Sequence, residues 1–449
     1  MPAAVIADPE RLGGAVPLFL LARGDGIPEG AEEAARLSNF QGELDQIAIV
    51  PGGVLVGAGD GADPLALGAA AAKLPTGDYR IEQLPNGTDE ADAVRAFAMG
   101  AYRFTKYREA ISQPALIIKD KELAERTARE AATIGFGRDL INTPAEDMGP
   151  DALEEVARAL AAEHGADIKV HQGEGFAEDF PLIHAVGRAA GPGKEPRLIE
   201  LNWSGGDGPK LALVGKGVCF DTGGLNLKPG KSMELMKKDM GGAATSLALA
   251  RRIMEEGLSL NLRLLIPAVE NAVAGNAFRP GDIFPSRHGQ TVEISNTDAE
   301  GRLILADVMT FATEGKPDRL ITLATLTGAA RVALGPDLPP IYSTEPGFQD
   351  LVLEAGTALN DPLWPMPFWD RYQNYLSSDL ADVNHAASTP FAGSITAALF
   401  LKRFSENLPY THIDTFAWVP QALPARPKGG EVLTMRALFR ALSEDSAAK

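Results

Sequence analysis

The feature that most constrains the fold is a regular alternation of short apolar runs and helix-length amphipathic stretches beyond residue 146. Parallel strands need a crossover connection, which is usually a helix, so such alternation is typical of an α/β fold. We expect a mixed, mostly parallel sheet flanked by helices. The predicted strands cover 198–201, 211–214, 262–266, 292–294, 320–323 and 412–416, and the predicted helices cover 150–165, 243–256, a stretch starting near 302, and 394–405.

The first part of the chain has a similar pattern on a smaller scale. Strands are predicted at 16–22, 46–50, 54–56 and 115–118, and helices at 63–74 and 89–109. A chain of 449 residues exceeds one ordinary domain. We therefore predict a small N-terminal α/β domain at 1–120, a linker helix region at 121–145 and a larger domain at 146–449. The glycine-rich stretch 57–61 lacks the full Rossmann spacing and is interpreted as a turn.

Charge and composition disfavour several classes of partner. The chain carries 60 acidic and 42 basic residues, a formal net charge of −18, which repels phosphate backbones and anionic lipid. No apolar run is long enough for a membrane helix. Cys219 is the single cysteine, so no intrachain disulfide can form. The expectations are therefore a cytoplasmic protein, no nucleic-acid partner and no membrane association.

A first cluster of charged residues follows the predicted strand at 211–214. It contains Lys216, Asp221 and Lys228, and Asp239 follows shortly before the predicted helix at 243–256. In open α/β sheets, ligands bind just beyond the carboxyl ends of strands. Glycines between these residues allow the backbone to approach a ligand closely. This segment is therefore a candidate binding site.

A second cluster follows the predicted strand at 292–294 and contains Asp298, Glu300 and Arg302. These residues alternate, so in an extended segment their side chains would point the same way. Converging carboxylates are costly unless cations compensate, and their oxygens suit Mn²⁺, Mg²⁺ and Zn²⁺. A solvated surface turn is the alternative for this segment taken alone. The six histidines lie outside both clusters, and no His-Glu-x-x-His zinc motif is present.

Lys216 adds a further constraint if it belongs to a metal site. A lysine ligates a metal only as the neutral amine, and an adjacent dication can lower its pKa far enough for that. The two clusters together supply four carboxylates and two lysines in glycine-rich surroundings. This combination favours a metal centre over a solvated surface.

These segments resemble the leucyl (cytosol) aminopeptidase family of metallopeptidases. The octapeptide at 296–303, Asn-Thr-Asp-Ala-Glu-Gly-Arg-Leu, is similar to the signature of that family. The segments 215–229 and 239–244 are similar to it as well, with matching spacings. Weaker similarities bring the covered region to about residues 125–435.

The resemblance implies a role for each matching residue. Asp221 and Glu300 would bridge two divalent metal ions, Mn²⁺ or Zn²⁺, with Lys216 and Asp239 completing the tighter site and Asp298 the exchangeable one. Lys228 and Arg302 match catalytic positions, and Arg302 would hold a bicarbonate ion. The pocket for the first side chain of the substrate would contain Met236, Asn296, Ala299, Thr325, Leu326 and Gly328.

The function implied is hydrolysis of the N-terminal residue from short peptides, in a homohexamer. Met236 and Ala299 indicate an apolar pocket and a preference for Leu-like residues. Three alternatives remain open: a binding protein that kept the fold but lost turnover, a different two-metal hydrolase such as a phosphoesterase, and a DNA-binding protein. The lysine ligand disfavours the second, and the negative charge disfavours the third.

Overall fold

The computed structural model describes residues 4–61, 63–109 and 112–447. The chain forms two compact units. One comprises the chain up to Asp139 together with Val419–Gly429, and the other comprises Leu140–Trp418 and the segment from Gly430 onward. No described helix combines the length and the apolar character that crossing a membrane requires.

The first unit contains a six-stranded sheet in the order β1-β6-β5-β2-β4-β3. All neighbouring strands are parallel except β3 and β4, which form an antiparallel pair. Its elements are β1 (Val5–Ala7), α1 (Pro9–Leu12), β2 (Val16–Leu21), α2 (Glu32–Leu37), β3 (Ile47–Val50), β4 (Gly53–Gly57), α3 (Gly68–Lys73), β5 (Gly77–Gln83), α4 (Glu90–Gly100) and β6 (Pro114–Ile118). Helix α5 (Lys121–Asn142) then leads into the second unit.

Both helices predicted in the first unit are longer in the prediction than in the structure. The helix predicted at 63–74 is α3, and the helix predicted at 89–109 ends at Gly100. Arg103 explains part of this difference, because its guanidinium donates to the carbonyl oxygens of Gly100, Ala71 and Ala72 at 2.9–3.0 Å. A side chain thus satisfies carbonyls that a further helical turn would otherwise occupy.

The second unit is built on a nine-stranded sheet with the order β16-β15-β18-β14-β9-β11-β8-β7, where β10 also pairs with β11. Its elements are α6 (Pro150–His164), β7 (Asp167–His171), α7 (Phe176–Asp179), α8 (Pro181–Gly187), β8 (Arg197–Ser204), β9 (Lys210–Gly215), β10 (Gly217–Asp221), α9 (Gly230–Met233), α10 (Gly241–Glu255), β11 (Asn261–Asn271), β12 (Ile283–Pro285), β13 (Thr291–Glu293), α11 (Glu300–Glu314), β14 (Arg319–Ala324), α12 (Gly328–Leu334), β15 (Pro340–Ser343), α13 (Pro346–Ala358), β16 (Trp364–Pro365), β17 (Val383–Asn384), α14 (Gly393–Lys402), β18 (Tyr410–Asp414) and α15 (Met435–Ala447). Two short strands, β19 (Trp418–Val419) and β20 (Gly429–Gly430), lie at the unit boundaries, and 3-10 helices cover Met236–Met240, Thr297–Ala299 and Asp370–Leu376.

The centre of this sheet is parallel. Strands β11, β9, β14 and β18 run in the same direction. Strand β8 is antiparallel to both β11 and β7, and β15 is antiparallel to β18 but parallel to β16. Every residue of β14 is buried, as expected for a central strand whose two faces are both covered. The predicted α/β class, with a mixed, mostly parallel sheet flanked by helices, is confirmed.

The central strands bring four polar side chains to one edge of the sheet. Lys216 follows β9, Asp221 ends β10, Thr325 follows β14 and Asp414 ends β18. The parallel direction of β9, β14 and β18 places their carboxyl ends together. The fold therefore assembles a polar site from segments that are far apart in the sequence.

Helix α10 begins directly against these strand ends. The amide of Ala243 donates to the Lys216 carbonyl oxygen at 2.9 Å. The amide of Lys216 donates to the Leu323 carbonyl oxygen, also at 2.9 Å. A Cβ placed on Gly242 would lie 2.1 Å from the Leu323 carbonyl oxygen. Only a glycine at this position permits so close an approach between helix and strand.

We predict that Gly242→Ala destabilises the protein by about 1–3 kcal/mol, the usual cost of forcing an extra methyl group into a packed interior. Chemical denaturation monitored by circular dichroism measures the change. Gly347→Ala is the matched control, because a Cβ there meets nothing within 4 Å and the residue lies in helix α13. Equal stability of the two variants would show that the helix can shift without cost.

Candidate active site

Two lysines occupy the centre of a buried group of carboxylates. The Lys216 ammonium lies 2.7 Å from Asp239 Oδ2 and 2.8 Å from Glu300 Oε1, and it donates to the Thr325 carbonyl oxygen at 2.9 Å. The Lys228 ammonium lies 2.7 Å from Asp221 Oδ2. Six of the seven residues predicted as metal ligands or catalytic groups lie in this region. The exception is Arg302, whose guanidinium donates to the carbonyl oxygen of His385.

Asp298 belongs to the same group, since its Oδ1 lies 2.5 Å from the Lys228 ammonium. Each lysine is therefore held between two carboxylates, one from the segment 215–239 and one from the segment 296–303. The structure brings together the two clusters that the sequence placed about sixty residues apart.

The prediction that Asp298, Glu300 and Arg302 alternate along an extended segment is wrong. The segment is a 3-10 turn, Thr297–Ala299, that continues into helix α11 at Glu300. Asn296 causes this local structure, because its side chain accepts from the Asp298 amide at 3.0 Å as an N-cap does. The helical start brings Asp298 and Glu300 to the lysines but directs Arg302 away.

Arg302 donates from Nη1 to the carbonyl oxygen of His385 at 2.8 Å. The ring of His385 in turn lies 2.8 Å from the carbonyl oxygen of Asn296. Burial lowers the pKa of His385 to about 4, so the ring is neutral at ordinary pH. His385 thus contacts both Asn296, the N-cap of the 3-10 turn before α11, and Arg302, a role that its isolated position in the sequence did not indicate.

A hydrogen-bonded seam joins the two charged segments. Thr297 Oγ1 donates to the Gly223 carbonyl oxygen at 2.6 Å, and the Asn226 amide donates to Thr297 Oγ1 at 2.8 Å. Gly223 has φ +86°, and a Cβ on it would lie 2.7 Å from Asp298 Oδ1. Glycine is therefore required here both by the backbone conformation and by the close approach of a carboxylate.

Two neutral side chains orient the carboxylates. Asn271, the last residue of β11, donates to Asp221 Oδ1 at 2.8 Å and to the Thr297 carbonyl oxygen at 3.0 Å. Thr325 Oγ1 donates to Asp239 Oδ1 at 2.8 Å. Sequence reasoning missed Asn271, although a polar residue at the carboxyl end of a buried strand was an available signal.

The electrostatics of the group show a deficit of positive charge. Burial and the neighbouring Asp221 raise the pKa of Glu300 to about 8. Burial alone would lower the pKa of Lys216, but the carboxylates of Asp239 and Glu300 outweigh it and hold that pKa above its ordinary value. Burial would also lower the pKa of Lys228, but its carboxylate neighbours, chiefly Asp221, raise that pKa above its ordinary value. Four carboxylates against two ammonium groups leave an excess of negative charge.

The donor set fits divalent cations. Asp221, Asp298 and Glu300 each offer an oxygen, and these three atoms lie within 4.8 Å of one another. Glu300 Oε2 is enclosed and has no hydrogen-bond partner among the described residues. A buried carboxylate oxygen without a partner is costly unless a cation compensates it. Carboxylate oxygens with one amine nitrogen form a ligand set suited to Mn²⁺ or Zn²⁺.

A cavity of about 440 Å³ opens onto this group. Four of the residues predicted to contact substrate are in its wall: Met236, Thr325, Leu326 and Gly328. Asn296, Ala299 and Arg302 are not among the described residues that line it. Lys238 and Asp414 are in the wall as well, and the sequence analysis assigned no role to either.

Asp414 shapes one side of the cavity. Its carboxylate accepts from Thr327 Oγ1 at 2.6 Å and from the amides of Leu326 and Thr327 at 2.9 and 3.2 Å. Burial raises the pKa of Asp414 to about 6 despite these donors. The carboxylate is thus occupied in holding the loop between β14 and α12.

Comparison with protein-family models gives two matches. The model described as the cytosol aminopeptidase family, catalytic domain, matches residues 135–439. The model described as the M17 aminopeptidase, N-terminal domain, matches residues 22–118. Together the two matched segments cover most of the chain.

Curated relatives agree with these models. A probable cytosol aminopeptidase from Syntrophotalea carbinolica is 39% identical over 390 residues, covering 81% of this chain and 78% of the relative. A probable cytosol aminopeptidase from Brucella suis is 36% identical over 446 residues, covering 89% of each chain.

Solved structures extend the similarity to the whole fold. The cytosol aminopeptidase from Coxiella burnetii has a TM-score of 0.91 and 39% identity, covering 99% of both chains. The bottromycin maturation enzyme BotP in complex with Mn has a TM-score of 0.86 and 29% identity, covering 99% of this chain and 100% of the other. Given the buried acidic centre, the family models and these relatives, the chain belongs to the cytosol aminopeptidase family and is an aminopeptidase of the hydrolase class.

Proposed function

We propose that this aminopeptidase uses two divalent metal ions to hydrolyse the first peptide bond of short peptides. The observation that carries the proposal is the convergence of Asp221, Asp239, Asp298 and Glu300 around two lysines beside a cavity. A purely structural role would not account for the enclosed, unpaired oxygen of Glu300.

Asp221 and Glu300 would bridge the two ions, Lys216 and Asp239 would complete the tighter site, and Asp298 would complete the exchangeable one. Such a pair of ions would supply Lewis acidity for the scissile carbonyl and would make a water molecule nucleophilic near neutral pH. Mn²⁺ or Zn²⁺ would serve, and the Mn complex of the related BotP supports the first. Lys216 would then act as the neutral amine, because an adjacent dication lowers the pKa of its ammonium, whereas Lys228 would keep its proton.

Lys228 would supply the charge that the reaction needs at the carbonyl oxygen. Its side chain is mostly buried and is held in place by Asp221 and Asp298, so the ammonium is oriented before substrate arrives. A preorganised cation in a water-poor cavity stabilises a developing oxyanion strongly. Arg302 would hold a bicarbonate ion as a general base, and its buried, unpaired Nε is a free donor for an anion.

The cavity wall supports a preference for Leu-like first residues. Met236 and Leu326 give it an apolar surface near the carboxylates. The proposal also includes a homohexamer acting on peptides in the cytoplasm. The family resemblance supports the hexamer, and the buried, unpaired Cys219 fits a reducing compartment.

The purified protein reconstituted with Mn²⁺ is expected to hydrolyse leucine p-nitroanilide and to leave p-nitrophenyl phosphate intact. The chelated protein should lose this activity and regain it with metal. Phosphatase activity alone would identify a different two-metal hydrolase, and binding of peptide without turnover would identify a protein that kept only the fold.

Replacing Lys228 with Ala should lower kcat by about 10²–10³-fold, the effect of removing one oxyanion donor. All five proposed metal ligands remain, so the metal content should stay at two ions per chain. Steady-state kinetics together with elemental analysis test both parts. Unchanged turnover would exclude Lys228 from the mechanism.

Asp239→Ala should abolish occupancy of the tighter site, since the carboxylate contributes to that site alone. Elemental analysis of the dialysed variant is expected to find fewer ions than in the parent protein. Asp414→Asn provides a comparison in the same cavity, at a carboxylate that serves hydrogen bonds. Two ions per chain in Asp239→Ala would show that the ligand assignment is wrong.

A further inference from the structure

Lys238 is a buried cation for which the proposed mechanism has no use. Only 5% of its surface is exposed, and its Nζ lies 4.9 Å from the ring centroid of Phe416. Its ammonium makes no hydrogen bond or ion pair with any residue that the structure describes, in contrast to Lys216 and Lys228. A charge removed from water in this way is costly unless a partner compensates it.

Lys238 is part of the cavity wall. Its Nζ lies against the ring of Phe416, which lines the same cavity, so the ammonium is held beside that wall.

Other cationic side chains in the same wall add to its positive charge. The Arg331 guanidinium lies 4.9 Å from the same Phe416 centroid, and Lys231 also lines the cavity. Asp414, the wall carboxylate outside the metal group, already accepts three hydrogen bonds. With metal ions on the four acids, Lys231, Lys238 and Arg331 would outnumber Asp414 among the remaining charged groups of this wall.

The position of Lys238 relates it to the first side chain of the substrate. It follows Met236 by two residues in the same 3-10 helix, and both line the cavity. Thr325 Oγ1 lies 3.1 Å from the Asp239 carbonyl oxygen, so the loop after β14 adjoins the segment that carries Lys238. Lys238 therefore belongs to the wall that the proposed function assigns to the first residue.

We propose that Lys238 binds the side-chain carboxylate of an acidic first residue, so that the enzyme removes N-terminal Glu or Asp in addition to Leu-like residues. This inference rests on the proposed aminopeptidase activity. The substrate's side-chain carboxylate would form the ion pair that Lys238 lacks among the described residues. The apolar wall at Met236 and Leu326 would contact the methylene groups of the same side chain. An uncharged amide of the same shape could accept a hydrogen bond from the ammonium but would leave its charge uncompensated, and it would bind less well.

The test compares glutamate and glutamine p-nitroanilides on the Mn²⁺-loaded enzyme. These substrates differ only in the charge of the first side chain, and neither has a C-terminal carboxylate. We expect kcat/KM for glutamate to exceed that for glutamine by about 10-fold or more, as for one buried charge-assisted hydrogen bond. A ratio of one or below in the unmodified enzyme would overturn the proposal, whatever happens in any variant.

Lys238→Met should reduce the glutamate-to-glutamine ratio by about 10–100-fold, and Lys238→Arg should retain a larger part of it. Lys237→Met is the matched control, because it removes the same charge at the adjacent residue. The Lys237 side chain donates to the Asn142 carbonyl oxygen instead. This control variant should leave the ratio unchanged. A ratio in Lys238→Met equal to that of the unmodified enzyme would contradict the assignment.

Two other results are distinguishable from these. If metal-loaded enzyme fails to cleave leucine p-nitroanilide, the proposed function is wrong, independently of Lys238. If Lys238→Met instead impairs free dipeptides relative to their amides while the anilide ratio is unchanged, Lys238 binds the C-terminal carboxylate, and the proposed specificity is wrong.

Discussion

The mutual repulsion of four carboxylates in a buried place is the constraint on which the rest of this structure depends. Such a group is stable only with cations inside it, and here Lys216 and Lys228 each lie between two acids. The two ammonium groups supply positive charge among the carboxylates, a role that two dications would otherwise have. The surrounding fold, with parallel strands ending at one edge, can be understood as the means of bringing these acids together.

The sequence predicted the α/β class and the residues of the acidic group because these signals are local. Apolar runs at strand length, glycines beside charges and closely spaced acids can be identified without knowing the fold. The extended conformation predicted at 296–303 is wrong because the helix-capping signal there outweighs the alternation of charged residues. An Asn followed by acidic residues before an apolar stretch is a helix-start signal, and the structure shows Asn296 in that role.

Other parts of the site could not be predicted, because they depend on distant contacts. Asn271 orients Asp221 across fifty residues, and His385 reaches Arg302 across eighty-three. Lys238 is next to Asp239 in the sequence. Only the fold shows that Asp239 forms an ion pair with Lys216, whereas Lys238 forms no ion pair with a described residue. Whether a charge is paired is a property of three-dimensional packing, and the chain order carries little information about it.

The seam between Thr297 and the loop at 223–226 has a consequence for the binding of metal ions. The two segments that carry the proposed ligands are joined by hydrogen bonds between neutral groups. Their relative placement is therefore set during folding and not by the ions. An incoming ion would meet segments that are already joined, so its binding would cost little conformational entropy and its exchange would not require these loops to separate.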